Sequence, residues 1–234
     1  MTAPAVPQAT ETEGDMTVPP DDRHRSLTAV LLAVIAVGLV LLGGGLAVAL
    51  GIGRTEDPSA DSVDAGFSRD MARHHLQGVE MANLVAERST DAEVRQLAFD
   101  ISATQTNQAG RMQGWLTLWG VPQSGGDPMA WMAGDSGHSG HTMAMDGGLM
   151  PGMATEDELV ALRRLNGTAF DVEFLRLMIR HHQGGREMAE YAAEHAGETA
   201  VRELADTIAQ TQTAETRTMS DMLAARGGTP LPAP

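Results

Sequence analysis

From Ser62 onward, apolar or half-apolar residues return at Val63, Phe67, Met71, His74, Gly78, Met81 and Val85, in steps of four, four, three, four, three and four. That rhythm marks one face of an α-helix. Val94, Leu97, Ile101, Met112, Trp115 and Leu116 carry a second helix, with Ser89 and Thr90 before Glu93 reading as its capping box and Gly120 with Pro122 as its stop. Thr155 and Glu158 form another capping box, opening a short helix that Asn166 and Gly167 break. A long helix then runs to about Ala196, Gly197 marks a turn, and a last helix ends at Gly227 and Gly228. No stretch alternates with the period of two that a strand requires, so the expected fold class is all-α.

Upstream the pattern changes. Residues 1–26 are rich in Pro, Thr and acids without an apolar period and read as a disordered tail. Leu27 to Ile52 carries no charge and exceeds the roughly 20 residues a bilayer needs, which predicts one transmembrane helix. The long polar leader favours an uncleaved anchor over a cleaved signal peptide. Arg23 and Arg25 precede the span and Arg54 follows it, so the positive-inside rule puts the N-terminus in the cytoplasm and the rest outside. Residues 53–61 are then a linker, 62–226 a globular domain and 227–234 a tail.

The domain is written twice. "MARHHLQGVEMA", Met71 to Ala82, returns as "MIRHHQGGREMA", Met178 to Ala189, at a constant shift of 107 residues. The same shift lays Asp64 on Asp171, Phe67 on Phe174, Arg73 on Arg180, Gly78 on Gly185, Ile101 on Ile208 and Gln105 on Gln212. Repeat one spans 62–119, a loop 120–154, and repeat two 155–226. Each copy is a helical hairpin with an apolar stripe it cannot bury alone, so the expected architecture is a four-helix bundle with a pseudo-twofold axis.

Composition narrows the chemistry. The chain has no Cys, which removes disulfides, thiolate zinc sites and blue-copper centres. Its 16 basic residues, all Arg, face 31 acids for a net charge of -15, which excludes a nucleic-acid partner because phosphate binding needs a basic face. Any metal is left to His, Met, carboxylate or backbone, and 15 Met is a rich supply.

Consecutive helical residues point about 100° apart, so His74 and His75 serve different directions. Met71 lies three and four residues before them and shares their surface, whereas Met81 is about two turns beyond His74 and cannot share an ion with Met71 unaided. One helix supplies two or three donors, and completion must come from Met178, His181, His182 and Met188 of the second copy or from the loop. Gly78 and Gly185, one turn beyond the pair, admit something close: a facing helix or a side chain of the other repeat. Imidazole with thioether and no thiolate suits copper, Cu(I) above all, and silver similarly. Core filling explains the methionines taken alone; the complete phrase, repeated, favours metal.

The loop "VPQSGGDPMAWMAGDSGHSGHTMAMDGGLMPGM" adds His138, His141, Met143, Met145, Met150 and Met153 as further candidates, besides Met129 and Met132. In an exposed loop these methionines have no core to explain them, so soft-metal capture is expected, with Trp131 and "LMPGM" as the parts that dock on the bundle. No helix carries Glu-x-x-His, so a di-iron centre is not expected. Asp64 and Asp171 read as turn caps, Arg73 and Arg180 as ion-pair formers, His195 as incidental. No nucleophile elbow, phosphate loop or catalytic triad occurs.

With "DAGFSRDMARHHLQGVEMA", "LMPGM" and "FDVEFLRLMIRHHQGGREMA" the exterior part, about Asp61 to Arg226, resembles the domain of unknown function numbered 305. The resemblance implies a ferritin-like four-helix bundle in bacterial extracytoplasmic proteins, some associated with copper tolerance. It also implies Met71, His74, His75, Met81, Met178, His181, His182 and Met188 as ligands. The expectation is a membrane-anchored copper-binding protein that sequesters Cu(I) or passes it to a transfer partner without turnover. A copper-dependent redox enzyme and a metal-free interaction module are the alternatives.

Overall fold

The computed structural model describes residues 22–50, 56–133 and 149–234, and among these every regular element is helical. It divides into two units, Met1–Glu56 and Asp57–Pro234. The first contains α1, Asp22–Ala49. This helix begins five residues before the charge-free stretch. Its stretch Arg25–Ala49 is long and apolar enough to cross a membrane, and none of its most apolar window is buried, unlike a soluble core helix.

The second unit holds α2 (Val63–Arg88), α3 (Ala92–Leu118), α4 (Glu156–Leu162), α5 (Gly167–His195) and α6 (Thr199–Ala225), with a 3₁₀ turn at Ala130–Met132. Ser62 caps α2 by accepting from the Ala65 N–H, and Thr155 with Glu158 forms the expected reciprocal box at α4. The start of α3 differs from expectation. Asp91 is its N-cap, accepting from the Glu93 and Val94 N–H groups, while Ser89 Oγ accepts from the Asp91 N–H. A carboxylate directly before the helix outcompetes the hydroxyl two residues earlier, and it also holds Arg226 from the end of α6.

The helices form a four-helix bundle of two hairpins, α2 with α3 and α5 with α6, joined mainly where α2 meets α5. Asp64 accepts from the Gly197 and Glu198 N–H groups at 3.0 and 2.7 Å, so this residue of α2 caps the turn that opens α6, in line with its reading as a turn cap. Two large apolar clusters, each drawing on both hairpins, build most of the core, and a small third one gathers Ala65, Leu116 and Val121. One large cluster joins Phe67, Met71 and Met112 to Met188, Val201 and Ile208; the other joins Phe174, Met178 and Met219 to Met81, Val94 and Ile101. Each residue of one cluster named here has its 107-shifted counterpart in the other, so the pseudo-twofold predicted from the repeat is present in the packing.

Candidate metal centre

Between the two apolar clusters each long helix places polar residues where the 3.6-residue period points inward: His74 and His75, Gln105 and Gln108, His181 and His182, Gln212 and Glu215. All four histidines are completely buried. The glycines make room for them. A Cβ on Gly78 would stand 3.1 Å from His181 Cε1, and one on Gly185 would stand 3.0 Å from His74 Cε1, so each glycine receives a histidine of the other repeat. The His74 and His181 rings lie 3.8 Å apart at 34°.

Every one of the four rings spends Nε2 in the same way. His74 Nε2 donates to the Pro151 carbonyl at 3.0 Å and His181 Nε2 to the His74 carbonyl at 3.0 Å. His75 Nε2 meets Gln108 Oε1 and His182 Nε2 meets Glu215 Oε2, each at 2.8 Å. With the proton on Nε2, the neutral tautomer leaves a lone pair on Nδ1. All four Nδ1 atoms are buried without a hydrogen-bond partner, as are both polar atoms of Gln105 and of Gln212. An unmatched buried polar atom costs about 1–3 kcal/mol, so a belt with this many is chemistry that core packing does not require.

Burial also decides the charge state. Desolvation lowers His74 to about 4 and His75 to about 3, and pushes His181 well below its ordinary value, each further lowered by neighbouring histidines. These rings are neutral at neutral pH, the form in which imidazole binds metal. Among the described residues no three His, Asp or Glu side chains converge on a common point. The belt therefore offers single nitrogen donors, and the methionines of the same helices stand in the apolar clusters on either side of it. Met71 and Met178, four residues before His75 and His182 on the same helices, are fully buried beside the belt, and Met81 and Met188 are buried beyond it.

The loop is placed differently from the expectation. Met129, Met150 and Met153 are buried in the first apolar cluster and Met132 packs against it. The premise that they lack a core is thus wrong for Met150 and Met153, which fill the bundle. His138, His141, Met143 and Met145 lie outside the described residues. Sequence reasoning also missed how the loop ends are held. Asp70 accepts from the Met129 N–H and from Trp131 Nε1, both at 2.8 Å, and Gly66 leaves room for the Trp131 ring. Gln77 donates to the Ala154 carbonyl and accepts from its N–H, both at 2.8 Å. Gly184 and Gly152 let the Pro151–Gly152 backbone lie directly on α5, which brings the Pro151 carbonyl to His74.

The family model for the domain of unknown function DUF305 matches residues 64–223. The chain belongs to the DUF305 family. A crystal structure of a DUF305 protein from Streptomyces coelicolor shares 44% identity over 74% of this chain and 99% of its own, with a TM-score of 0.67. A DUF305 fragment from Deinococcus radiodurans shares 32% over 70% and 96%, with a TM-score of 0.58. CopM, in its Cu(II)-bound form, shares 27% over 70% and 97%, with a TM-score of 0.53; its Cu(I)-bound form matches at 25% with the same TM-score. No curated protein matches the chain. The family match spans both histidine pairs, Gln105, Gln212 and the Met150–Ala154 strap of this DUF305 chain.

Proposed function

We propose that this DUF305 chain is a membrane-anchored, extracytoplasmic copper-binding protein that sequesters Cu(I) or hands it on without turnover. The observation that carries the reading is the set of four buried imidazoles whose Nε2 atoms each meet an oxygen acceptor and whose Nδ1 atoms all lack a hydrogen-bond partner. Neutral imidazole beside thioether, with no thiolate in the chain, is a donor set for Cu(I). The copper-bound forms of CopM support it from a related fold. The apolar stretch of α1 supplies the anchor, and Arg23 and Arg25 in the first turn of that helix support, by the positive-inside rule, a cytoplasmic N-terminus.

The residues assigned to copper are His74, His75, His181 and His182, with Met71, Met81, Met178 and Met188 as the thioethers within the bundle; His138, His141, Met143, Met145, Met150 and Met153 complete the candidate set on the loop. A metal-free interaction module is the second reading, and one observation favours it: every bundle methionine named here is packed in an apolar cluster, which core filling alone explains. The test is competition for Cu(I) between the detergent-solubilised full chain and a chromogenic chelator. It is repeated with all four belt histidines changed to Ala and, separately, with His138 and His141 changed to Ala. Binding that disappears with the four belt histidines, in a chain that keeps its helical circular dichroism, supports the belt. Binding that follows the loop histidines moves the site to the loop, and no binding leaves the interaction module.

A further inference from the structure

The belt is nearly symmetric, and the one exchange in its hydrogen-bonding shell changes the chemistry of a ring. His75 and His182 are counterparts, and so are their partners, but the first partner is the amide Gln108 and the second the carboxylate Glu215. We propose that Glu215 is a positioning residue that locks His182 in the tautomer with a free Nδ1, making it a tighter copper-binding imidazole than its counterpart His75, which stays able to switch. This rests on the copper reading above.

An ionised carboxylate only accepts, so it admits one arrangement: N–H on Nε2 and the lone pair on Nδ1. Its charge also raises the basicity of the opposite nitrogen, as the acid behind a metal-bound histidine does. An amide is ambivalent. Rotated by half a turn, Gln108 presents its NH₂ to Nε2, and His75 then carries its proton on Nδ1, where no metal binds. His74 and His181 face backbone carbonyls, which are acceptors only, and are held as firmly as His182. Among the four rings, His75 is therefore the only one whose partner can reverse roles. Met71 stands four residues before His75 and Met178 four before His182, so the thioether supply on the two helices is matched and the partner at 108 or 215 is what separates them.

The test uses the full chain in detergent, labelled with ¹⁵N at the histidine rings. Metal-free ring spectra are expected to show His182 as a single Nε2-protonated tautomer and His75 as a mixture. Glu215→Gln turns His182 into a mixture, and Gln108→Glu turns His75 into one tautomer. In Cu(I) competition the wild-type chain fills two classes of site. Glu215→Gln weakens the tighter class about 10–100-fold, the usual loss when such an outer partner is removed, and Gln108→Glu brings the two classes together. Ring spectra that are the same for His75 and His182, a His182 protonated on both nitrogens, or two classes weakened equally by Glu215→Gln would overturn the proposal. A wild-type chain that binds no copper while its spectra show the lock overturns the copper reading and the ranking, and leaves Glu215 as a tautomer lock alone.

Discussion

Repeat one and repeat two place the same histidine pair and inner glutamine on the belt, yet among the described residues the side chains that grip the loop ends by hydrogen bonds come mainly from repeat one. Asp70, which binds Met129 and Trp131, has Leu177 as its counterpart; Gln77, which grips Ala154, has Gly184; Gly66, which admits Trp131, has Glu173. The histidine pairs, Gly78 and Gly185, Phe67 and Phe174, and the helix methionines Met71 and Met178, Met81 and Met188, and Met112 and Met219 are identical in both copies. Symmetric positions thus make the site and asymmetric positions close it, and Gly184 shows the two demands meeting, since its missing side chain is the seat for the Pro151 carbonyl. A duplicated hairpin can carry one lid only if one copy gives up the residues that would obstruct it.

The largest effect tests what the copies share. A histidine free in an unfolded chain titrates near 6.5, whereas His74 and His75 are held at about 4 and about 3 by burial. The unfolded state therefore binds protons first, so stability is complete above pH 6.5 and falls as pH drops towards 4. At about 1.4 kcal/mol per pH unit, each ring contributes roughly 3 kcal/mol of loss by pH 4, large against the roughly 5–15 kcal/mol that holds a domain. Urea unfolding at pH 7 and at pH 4.5 measures it. A shared belt predicts one transition seen alike by tryptophan fluorescence, which reports repeat one and its loop, and by helicity, which reports both repeats. Two separate transitions would break the picture of a common core.

Next come the paired methionines. Met71→Ala and Met178→Ala each remove a fully buried side chain, at about 2–5 kcal/mol. Because one stands in each apolar cluster, their losses in chemical denaturation should agree within about 1 kcal/mol. A much larger loss for Met71, which shares its cluster with Met150 and Met153, would show the loop to be part of that core's stability.

Smaller, and confined to the asymmetric set, is the strap. A methyl on Gly184 presses on the Pro151 carbonyl and would lie 2.8 Å from the Gly152 nitrogen, and backbone on both sides cannot yield as a side chain would. Gly184→Ala should cost about 1–3 kcal/mol by overpacking, against about 1 kcal/mol gained in helix propensity. It should also speed hydrogen exchange at the Ala154 N–H, which Gln77 protects. An unchanged Ala154 amide would mean that the strap is held elsewhere.

These contrasts also separate what the chain reveals from what it hides. The hairpins, most helix ends and the apolar-face position of His74 follow from local rules, a period of 3.6 and caps within four residues, and the shift of 107 doubles each signal; the burial of His75 beside it does not. Gln105 and Gln212 were visible as a match, but glutamine at helical spacing reads as a solvated face until Gly78 and Gly185 are seen to open the space beside them. Trp131 and the Met150–Met153 end dock on the bundle as expected, but their anchors are single contacts over long separations, Asp70 to Trp131 and Gln77 to Ala154, with no period to announce them. A run of Met, Gly and Ser looks the same whether it drapes over a bundle or trails from it, and only the partner decides.

The smallest expected effect sets the two arginines against each other. Arg73 and Arg180 occupy equivalent positions, yet Arg73 is exposed while Arg180 grips Glu158 with both arms, Nη1 to Oε1 at 2.9 Å and Nη2 to Oε2 at 2.7 Å. The guanidinium holds the Glu158 carboxyl below its ordinary range, and that same carboxylate accepts from the Thr155 N–H in the capping box of α4. Losing Arg180 therefore loosens a helix start as well as an ion pair. Solvent still reaches both partners, which keeps the pair's own contribution small. Arg180→Gln should cost about 1 kcal/mol and Arg73→Gln less than about 0.5 kcal/mol in urea unfolding at pH 7. Repeating the measurement in 1 M salt should shrink the Arg180 loss without removing it, because screening weakens the charge interaction but leaves the hydrogen bonds to compete with water. Equal losses for the two arginines would mean that α4, which has no counterpart in repeat one, contributes nothing that depends on its tie to α5.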